Sequence, residues 1–127
     1  MLQKRTVLVI DDEEYVADAL RIVLNDSGYR ATVALTGSAG LRECEHQVFD
    51  VTITDLRLPD IPGMDVLTGI RRRQPASVII VISSYGTPEI VAQILDLGST
   101  GFLAKPFCPS ELIELIESLI SPEPDPS

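Results

Sequence analysis

The sequence predicts a doubly wound α/β fold, in which helices cover both faces of a parallel sheet. Five short β-branched or apolar runs alternate with five segments whose apolar residues recur at helical spacing. Two of the runs, TVLVI at 6–10 and SVIIVIS at 77–83, are apolar almost throughout, as expected for strands buried on both faces. Right-handed crossovers through the intervening helices then make the strands parallel.

The first half of the chain contains three strand and helix units. The first strand ends at Asp11, and the helix after it stops at Gly28, a residue type common just beyond a helix end. The face of that helix toward the sheet is predicted from the spacing of Val16, Ala19, Leu20, Val23 and Leu24. The remaining segments are a strand over 30–35, a helix over 38–47, a strand over 51–54 and a helix over 64–74.

The second half contains two more units. The strand over 77–83 is the most apolar run and is predicted to be central. Thr87 and Pro88 suit the N-cap and first position of a helix that runs to Leu97 and stops at Gly98. A short strand over 101–104 and a helix over 109–120 complete the series.

Length and composition limit the kind of protein. A chain of 127 residues can bury a core without disulfides or a structural metal, which predicts one domain over 1–121. Residues 122–127, PEPDPS, are predicted to be a proline-rich tail or the start of a linker to an absent output domain. No run approaches the length of a membrane span and no signal peptide is recognisable, so we expect a cytoplasmic protein.

Charge argues against direct nucleic-acid binding. The net charge is −9, and the only basic run, Arg71 to Arg73, is expected to form a solvated helix end. Cys44 and Cys108 lack metal-ligand spacing and are expected to be buried or half-buried thiols rather than a bridge. His46 lies among polar residues of the second helix and is expected to be solvated.

Polar residues stand at the carboxyl ends of four predicted strands: Asp11 and Asp12, Asp55, Ser83, and Lys105. Ligands bind at this edge of a parallel α/β sheet, because its loops converge there. Asp55 is our candidate for the functional centre. The alternative is that Asp55 only caps its loop, as many aspartates after strands do.

These residue types suit phosphoryl chemistry. Three crowded carboxylates repel unless a cation offsets their charge, and hard oxygen ligands suit Mg²⁺. Asp55 could then act as a nucleophile toward phosphorus. Lys105 would supply positive charge to the phosphoryl oxygens, and Ser83 a hydroxyl donor.

Four motifs resemble the receiver domain of bacterial two-component response regulators. They are DD at 11–12, ITDLRLPDIPG with its aspartate at 55, SSYG at 83–86 and FLAKPF at 102–107. The resemblance covers residues 6–120 and implies a flavodoxin-like (βα)5 fold with strand order 2-1-3-4-5. It also implies that Asp55 accepts a phosphoryl group from the histidine of a sensor kinase or a histidine phosphotransfer protein.

The resemblance further implies roles for individual residues. Asp12, Asp55 and the main-chain oxygen of Arg57 would ligate Mg²⁺, with Asp11 acting mainly through water. Ser83 and Lys105 would contact phosphoryl oxygens. Phe102 and Ser83 would form the conformational switch, and Lys105–Pro106 matches a pair that is usually cis in the family. Two departures are Ser83, where threonine is commoner, and Ser84, where a smaller residue is frequent.

The expected function is a phosphorylatable signalling switch rather than a classical enzyme, with a transcriptional output domain or a single-domain relay as alternatives. An aspartyl phosphatase would need DxDxT after the first strand, where this chain reads DDEEY, and a flavin protein would need hydroxyl-rich phosphate loops. A homodimer through the fourth helix, fifth strand and fifth helix is also expected. In the fourth helix, the stripe that packs on the sheet is expected to consist of Val91, Ile94, Leu95 and Gly98, with Ile90 and Leu97 at its margin.

Overall fold

The computed structural model describes residues 4–120 and contains five strands and five helices in alternation. The strands are β1 (Thr6–Ile10), β2 (Arg30–Ala34), β3 (Val51–Asp55), β4 (Val78–Ser83) and β5 (Gly101–Ala104). The helices are α1 (Glu14–Asp26), α2 (Gly37–His46), α3 (Gly63–Arg73), α4 (Pro88–Asp96) and α5 (Pro109–Leu119). The predicted alternation is therefore confirmed, while the predicted 122–127 tail lies outside the described residues.

The sheet is parallel, with strand order β2-β1-β3-β4-β5, as predicted. Ile10 pairs with Thr54, and Ser83 pairs with Ala104. Asp11 and Asp55 therefore follow β1 and end β3 at the same level, and Lys105 follows β5 one residue beyond Ser83. This register brings the predicted polar residues to one edge of the sheet.

Two apolar cores lie on opposite faces of the sheet. α1 and α5 pack on one face through residues such as Leu24 and Leu112. α2, α3 and α4 pack on the other through residues such as Cys44, Leu67 and Ile94. Every residue of β3 is buried, including its two threonines and the Asp55 at which the strand ends.

Glycines end two of the helices in the same way. Gly28 (φ 96°) and Gly98 (φ 110°) adopt the left-handed conformation that glycine tolerates best. The next residue, Tyr29 or Ser99, donates its N–H to the carbonyl oxygen five positions earlier, which is the Schellman arrangement. Both predicted helix stops are therefore confirmed, as is Thr87, whose side chain accepts from the amide of Ile90.

For α1 and α4, the residues predicted to lie on the buried face were wrong in part. On α1, Ala19 is exposed and Ala17 lies in the buried stripe. On α4, Leu95 is 48% exposed, whereas Ile90 and Leu97 pack against the core together with Ile94. Adjacent apolar residues leave the phase of a short stripe ambiguous, and packing into the core on each helix's own face of the sheet decides it.

The basic run at the end of α3 is also not uniformly solvated. The Arg71 guanidinium is half-buried and donates to the carbonyl oxygens of Gly98, Gln74, Pro75 and Ser77. Arg72 and Arg73 are exposed, as expected.

The two cysteines and the single histidine have different surroundings. Cys44 is buried, whereas Cys108 is exposed, so the expectation of burial fails for the second thiol. Burial raises the pKa of the Cys44 thiol to about 11. His46 is exposed, as expected. Within residues 4–120, no helix is both long and apolar enough to cross a bilayer.

Candidate functional site

Three strand ends share one local hydrogen-bond pattern. The side chains of Asp11, Asp55 and Ser83 each accept the backbone N–H of the residue two positions later, at 2.9, 2.9 and 3.0 Å. Such turns are a common property of aspartate and serine, and they direct the following loop away from the strand. The capping alternative for Asp55 is thus part of its role, but only one of its two oxygens is used in this way.

Lys105 joins the strand ends through its ammonium group. Its Nζ atom donates to Asp55 Oδ2 at 2.7 Å, to Asp11 Oδ2 at 3.0 Å and to Glu13 Oε1 at 3.1 Å. Burial lowers the pKa of this amine, but the bonds to Asp55, Asp11 and Glu13 outweigh it and hold the pKa above its ordinary value. Lys105 is therefore a permanent cation at this edge. The Lys105–Pro106 peptide bond is cis, as the resemblance implied.

The three predicted carboxylates are close together. Asp11, Asp12 and Asp55 each offer an oxygen atom, and these atoms lie within 4.8 Å of one another. Burial raises the pKa of Asp11, although its bonds to the Glu13 amide and Lys105 act in the opposite direction. Asp12 is exposed and accepts no hydrogen bond from residues 4–120. Since one ammonium faces these carboxylates, oxygen atoms remain that fit a hard divalent cation such as Mg²⁺.

Ser83 and Phe102, the predicted switch pair, lie on neighbouring strands. Ser83 is buried, and its oxygen accepts from the amide of Tyr85. Within residues 4–120 the hydroxyl donates to no other group, so its hydrogen is available as a donor. Phe102 is half-buried and packs against the α3 and α4 core. Its ring also closely approaches Gly86, where an added β-carbon would lie 2.5 Å from the ring atom Cζ. Hence the glycine of the SSYG motif makes room for the aromatic ring.

A polar cleft of about 300 Å³ opens beside Asp55. Its lining consists of Asp12, Glu13, Asp55, Arg57, Ser84, Tyr85 and Lys105. The guanidinium carbon of Arg57 lies 3.9 Å from the centre of the Tyr85 ring, a cation–π arrangement. The cleft is wide enough for a phosphoryl group, and its charged lining can orient one.

Two of these lining residues were missed by the sequence analysis. Glu13 follows the acidic pair and Tyr85 follows the hydroxyl residues, so neither type of residue was conspicuous at its position. Their roles depend on partners distant in sequence, Lys105 for Glu13 and Arg57 for Tyr85. The only available signal was that both stand within loops predicted to leave the same edge.

The loop after β3 is held in place by Asp60. Its carboxylate accepts the backbone amides of Gly37 and Ser38 at 2.9 Å each and the Ser38 hydroxyl at 2.5 Å. These bonds, led by the Ser38 hydroxyl, lower the pKa of Asp60 to about 2. The loop that carries Arg57 is thereby tied to the beginning of α2.

Comparison with known sequences identifies a family and several relatives. The sequence pattern of the response regulator receiver domain matches residues 7–117. The transcriptional regulatory protein KdpE of Mycobacterium tuberculosis is 40% identical over 114 residues, which are 90% of this chain and 50% of that protein. The sensory transduction protein RegX3 of Mycobacterium bovis is 35% identical over 115 residues, or 91% of this chain and 50% of that protein. The chain thus spans about half the length of these curated relatives.

Solved structures with the same fold agree. A CheY-like response regulator receiver domain protein from Methanospirillum hungatei superposes with a TM-score of 0.88 at 27% identity, covering 91% of this chain and 93% of that one. A response regulator from Burkholderia pseudomallei, described with a phosphorylated aspartic acid and a calcium ion, gives a TM-score of 0.82 at 25% identity, covering 94% and 76%.

Proposed function

Because the chain belongs to the response regulator receiver domain family, we propose that Asp55 accepts a phosphoryl group from a histidine of a sensor kinase or a histidine phosphotransfer protein. The observation that carries this proposal is the position of the Asp55 carboxylate, which lies in the acidic cluster and is 2.7 Å from Lys105. A buried nucleophilic carboxylate beside a fixed cation and a cleft is an arrangement suited to phosphoryl transfer.

We assign a divalent cation, Mg²⁺, to the oxygen atoms of Asp11, Asp12 and Asp55, with the main-chain oxygen of Arg57 as a further ligand. The support is the clustering of the three carboxylates and the exposure of Asp12, which leaves its oxygens free to bind an ion. When bound, the cation lowers the repulsion between the acidic cluster and an incoming anionic phosphoryl group.

In the transfer step, an oxygen atom of Asp55 attacks phosphorus and the P–N bond to the donor imidazole breaks. The bonding electron pair leaves with the imidazole nitrogen, and Asp55 becomes an acyl phosphate. Lys105 donates to one phosphoryl oxygen, and Ser83 donates its free hydroxyl hydrogen to another. No general base is needed, since a carboxylate nucleophile has no proton to give up.

Movement of Ser83 toward the phosphoryl group would then be coupled to the position of Phe102. The coupling follows from their placement. Ser83 on β4 pairs with Ala104 on β5, and Phe102 lies two residues before Ala104. The Phe102 ring also packs beside Gly86 in the loop that follows Ser83. A ligand shifts such an equilibrium only through contacts that differ between the two states, and these side chains supply them.

The output of this switch is also a proposal. The relatives named above include a transcriptional regulator, which favours an output domain for transcription beyond this half of the protein. We further propose a cytoplasmic location and a phosphorylation-dependent homodimer through α4, β5 and α5. Leu95 on α4 is exposed and offers apolar area for that contact, a role that the sequence analysis had given to Ile90 and Leu97.

The test is phosphorylation by acetyl phosphate with Mg²⁺, followed by intact-mass analysis. The parent protein should gain one phosphoryl group and Asp55→Asn should gain none. Asp65→Asn, which changes an exposed carboxylate on the first turn of α3, should be labelled like the parent. Full labelling of Asp55→Asn would refute the assignment.

The metal and lysine roles are separated by two further variants. Asp12→Ala should lose Mg²⁺ affinity and labelling together, because it removes an oxygen ligand. Lys105→Ala should lose labelling or switching while keeping Mg²⁺ affinity, because its ammonium serves the phosphoryl oxygens. Unchanged Mg²⁺ binding by Asp12→Ala would remove that residue from the ligand set.

A further inference from the structure

The ammonium of Lys105 has no hydrogen left for a new partner. It carries three N–H donors, and three carboxylates, those of Asp55, Asp11 and Glu13, each accept one at 2.7 to 3.1 Å. A phosphoryl oxygen can bind this group only when one of these contacts is given up. Binding of the phosphoryl group therefore depends on which carboxylate releases Lys105.

Glu13 differs from the other two partners. The side chain of Glu13 is 62% exposed, whereas those of Asp11 and Asp55 are 0% and 7% exposed. Asp11 and Asp55 belong to the cluster that suits a cation, and Glu13 does not. Its backbone is fixed, because the Glu13 amide donates to Asp11, but its side chain reaches Lys105 from the solvent side.

The Glu13–Lys105 contact also stands between two clefts. One is the polar cleft of about 300 Å³ beside Asp55, and the other is a more apolar cleft of about 420 Å³ between α1 and the loop before α5. Both residues line both clefts. Glu13 can therefore swing outward without disturbing a packed side chain, and it takes a negative charge away from the phosphoryl site when it does.

We propose that Glu13 is a positioning residue that competes with the phosphoryl group for Lys105. In the resting protein it holds one donor of the ammonium. On phosphorylation it releases that donor. This inference rests on the proposed function, and it assigns to Glu13 a restraint on phosphoryl binding rather than a contact with the reacting atoms.

The experiment compares Glu13→Gln with Glu14→Gln in the whole chain. Glu14 is the neighbouring exposed glutamate on α1, and it has no bond to Lys105. Beryllofluoride affinity is measured by ¹⁹F NMR at saturating Mg²⁺, and Mg²⁺ affinity is measured separately without beryllofluoride. Glu13→Gln should bind beryllofluoride about two- to fivefold more tightly, in line with the loss of one partly exposed charge contact, and Glu14→Gln should match the parent.

Two further measurements distinguish competition for Lys105 from a general change in charge or in stability. The Mg²⁺ affinity of Glu13→Gln should stay within about twofold of that of the parent, since Glu13 is not assigned as a ligand. A general change in the electrostatic potential of the cleft would instead weaken cation binding as much as it strengthens anion binding. Urea unfolding should show that neither variant changes the stability enough to account for the affinity.

The outcomes separate this inference from the proposed function. Equal beryllofluoride affinity of the parent and Glu13→Gln, equal gains in both glutamate variants, or a matching loss of Mg²⁺ affinity would each overturn the role of Glu13. Failure of the parent protein itself to bind beryllofluoride with Mg²⁺ would instead refute the proposed function.

Discussion

The two ends of the sheet bury polar side chains in opposite ways. At the amino ends of the strands, Gln74 is 3% exposed and completely paired: its Oε1 accepts the amide of Phe49, and its Nε2 donates to the carbonyls of Cys44 and Gln47. Arg71 beside it uses neutral carbonyl acceptors. At the carboxyl ends, three carboxylates bind the ammonium of Lys105, and a fourth, that of Asp12, lies in the same acidic cluster.

Cavity size does not distinguish these two ends. The cleft at the amino end measures about 430 Å³ and exceeds the polar cleft of about 300 Å³ beside Asp55. The distinction lies in charge, because Gln74 and Arg71 at the amino end have fixed neutral partners while the carboxyl end is left with surplus negative charge. Uncompensated charge of this kind marks a site prepared for a ligand, and complete pairing marks a structural element.

Among the changes that test this comparison, Gln74→Leu is expected to lower the free energy of unfolding most. The change leaves the Phe49 amide and two carbonyl oxygens without their partner, which should lower the free energy of unfolding by about 2–4 kcal/mol. Urea unfolding measures it. The rate at which Asp55 is labelled by acetyl phosphate should be unchanged, because the substitution lies at the opposite end of the sheet.

Gln93→Leu is the matched control, since Gln93 is an exposed glutamine on α4. It should change the free energy of unfolding by less than about 0.5 kcal/mol. A similar small effect of Gln74→Leu would show that the buried amide is dispensable and that the two ends differ less than their contacts indicate.

A somewhat smaller effect is expected for Arg71→Met, which keeps most of the aliphatic side chain but removes the guanidinium. The carbonyl of Gly98 loses two donors, at 2.6 and 3.1 Å, so the end of α4 loses its link to α3. Because Arg71 is only half-buried, we expect a loss of about 1–3 kcal/mol in urea unfolding. Exposed Arg72, changed to Met as the control, should have little effect; equal losses in both variants would contradict the assigned role of Arg71.

The sequence was sufficient to predict the elements and the meeting of the polar strand ends at one edge of the sheet. Each predicted strand and helix is present, and the stated bounds differ from the observed ones by at most one residue, because runs such as TVLVI and stops such as Gly28 act locally. The convergence of Asp11, Asp55, Ser83 and Lys105 followed from parallel strands, which bring all carboxyl ends to one edge.

The remaining features depend on contacts that a local pattern does not contain. The helical spacing of Val91, Ile94, Leu95 and Gly98 predicts that Leu95 is buried, but Leu95 is 48% exposed, and only packing into the core on this face of the sheet shows that Ile94 is the buried residue. Arg71 lies in a basic run, but its partner Gly98 is 27 residues away. Glu13 meets Lys105 across 92 residues, so its role could not be read from the motif DDEEY.

The smallest of the three expected effects concerns Asp60, a carboxylate on the functional side that is fully bonded, as the amino-end residues are. Its pKa is lowered to about 2 by the Ser38 hydroxyl and by the amides of Ser38 and Gly37. A group whose pKa is lower in the folded state stabilises the protein above its unfolded pKa, and this stabilisation is lost as the pH falls through the folded pKa. Asp60→Asn should therefore be less stable than the parent at neutral pH.

The pH dependence of that difference is the decisive measurement. The gap in free energy of unfolding between the parent and Asp60→Asn should be constant from pH 7 to pH 5, fall to roughly half near pH 3 and continue toward its minimum near pH 2. Ser38→Ala removes the hydroxyl donor. Measured between Ser38→Ala and the double variant with Asp60→Asn, the gap should be smaller and depend less on pH, because two backbone amides still bind the carboxylate. A gap that stays the same at pH 7 and pH 3 would mean that Asp60 is not held ionised by the α2 terminus, and that its bonds do not serve the structural role that those of Gln74 and Arg71 serve at the amino end.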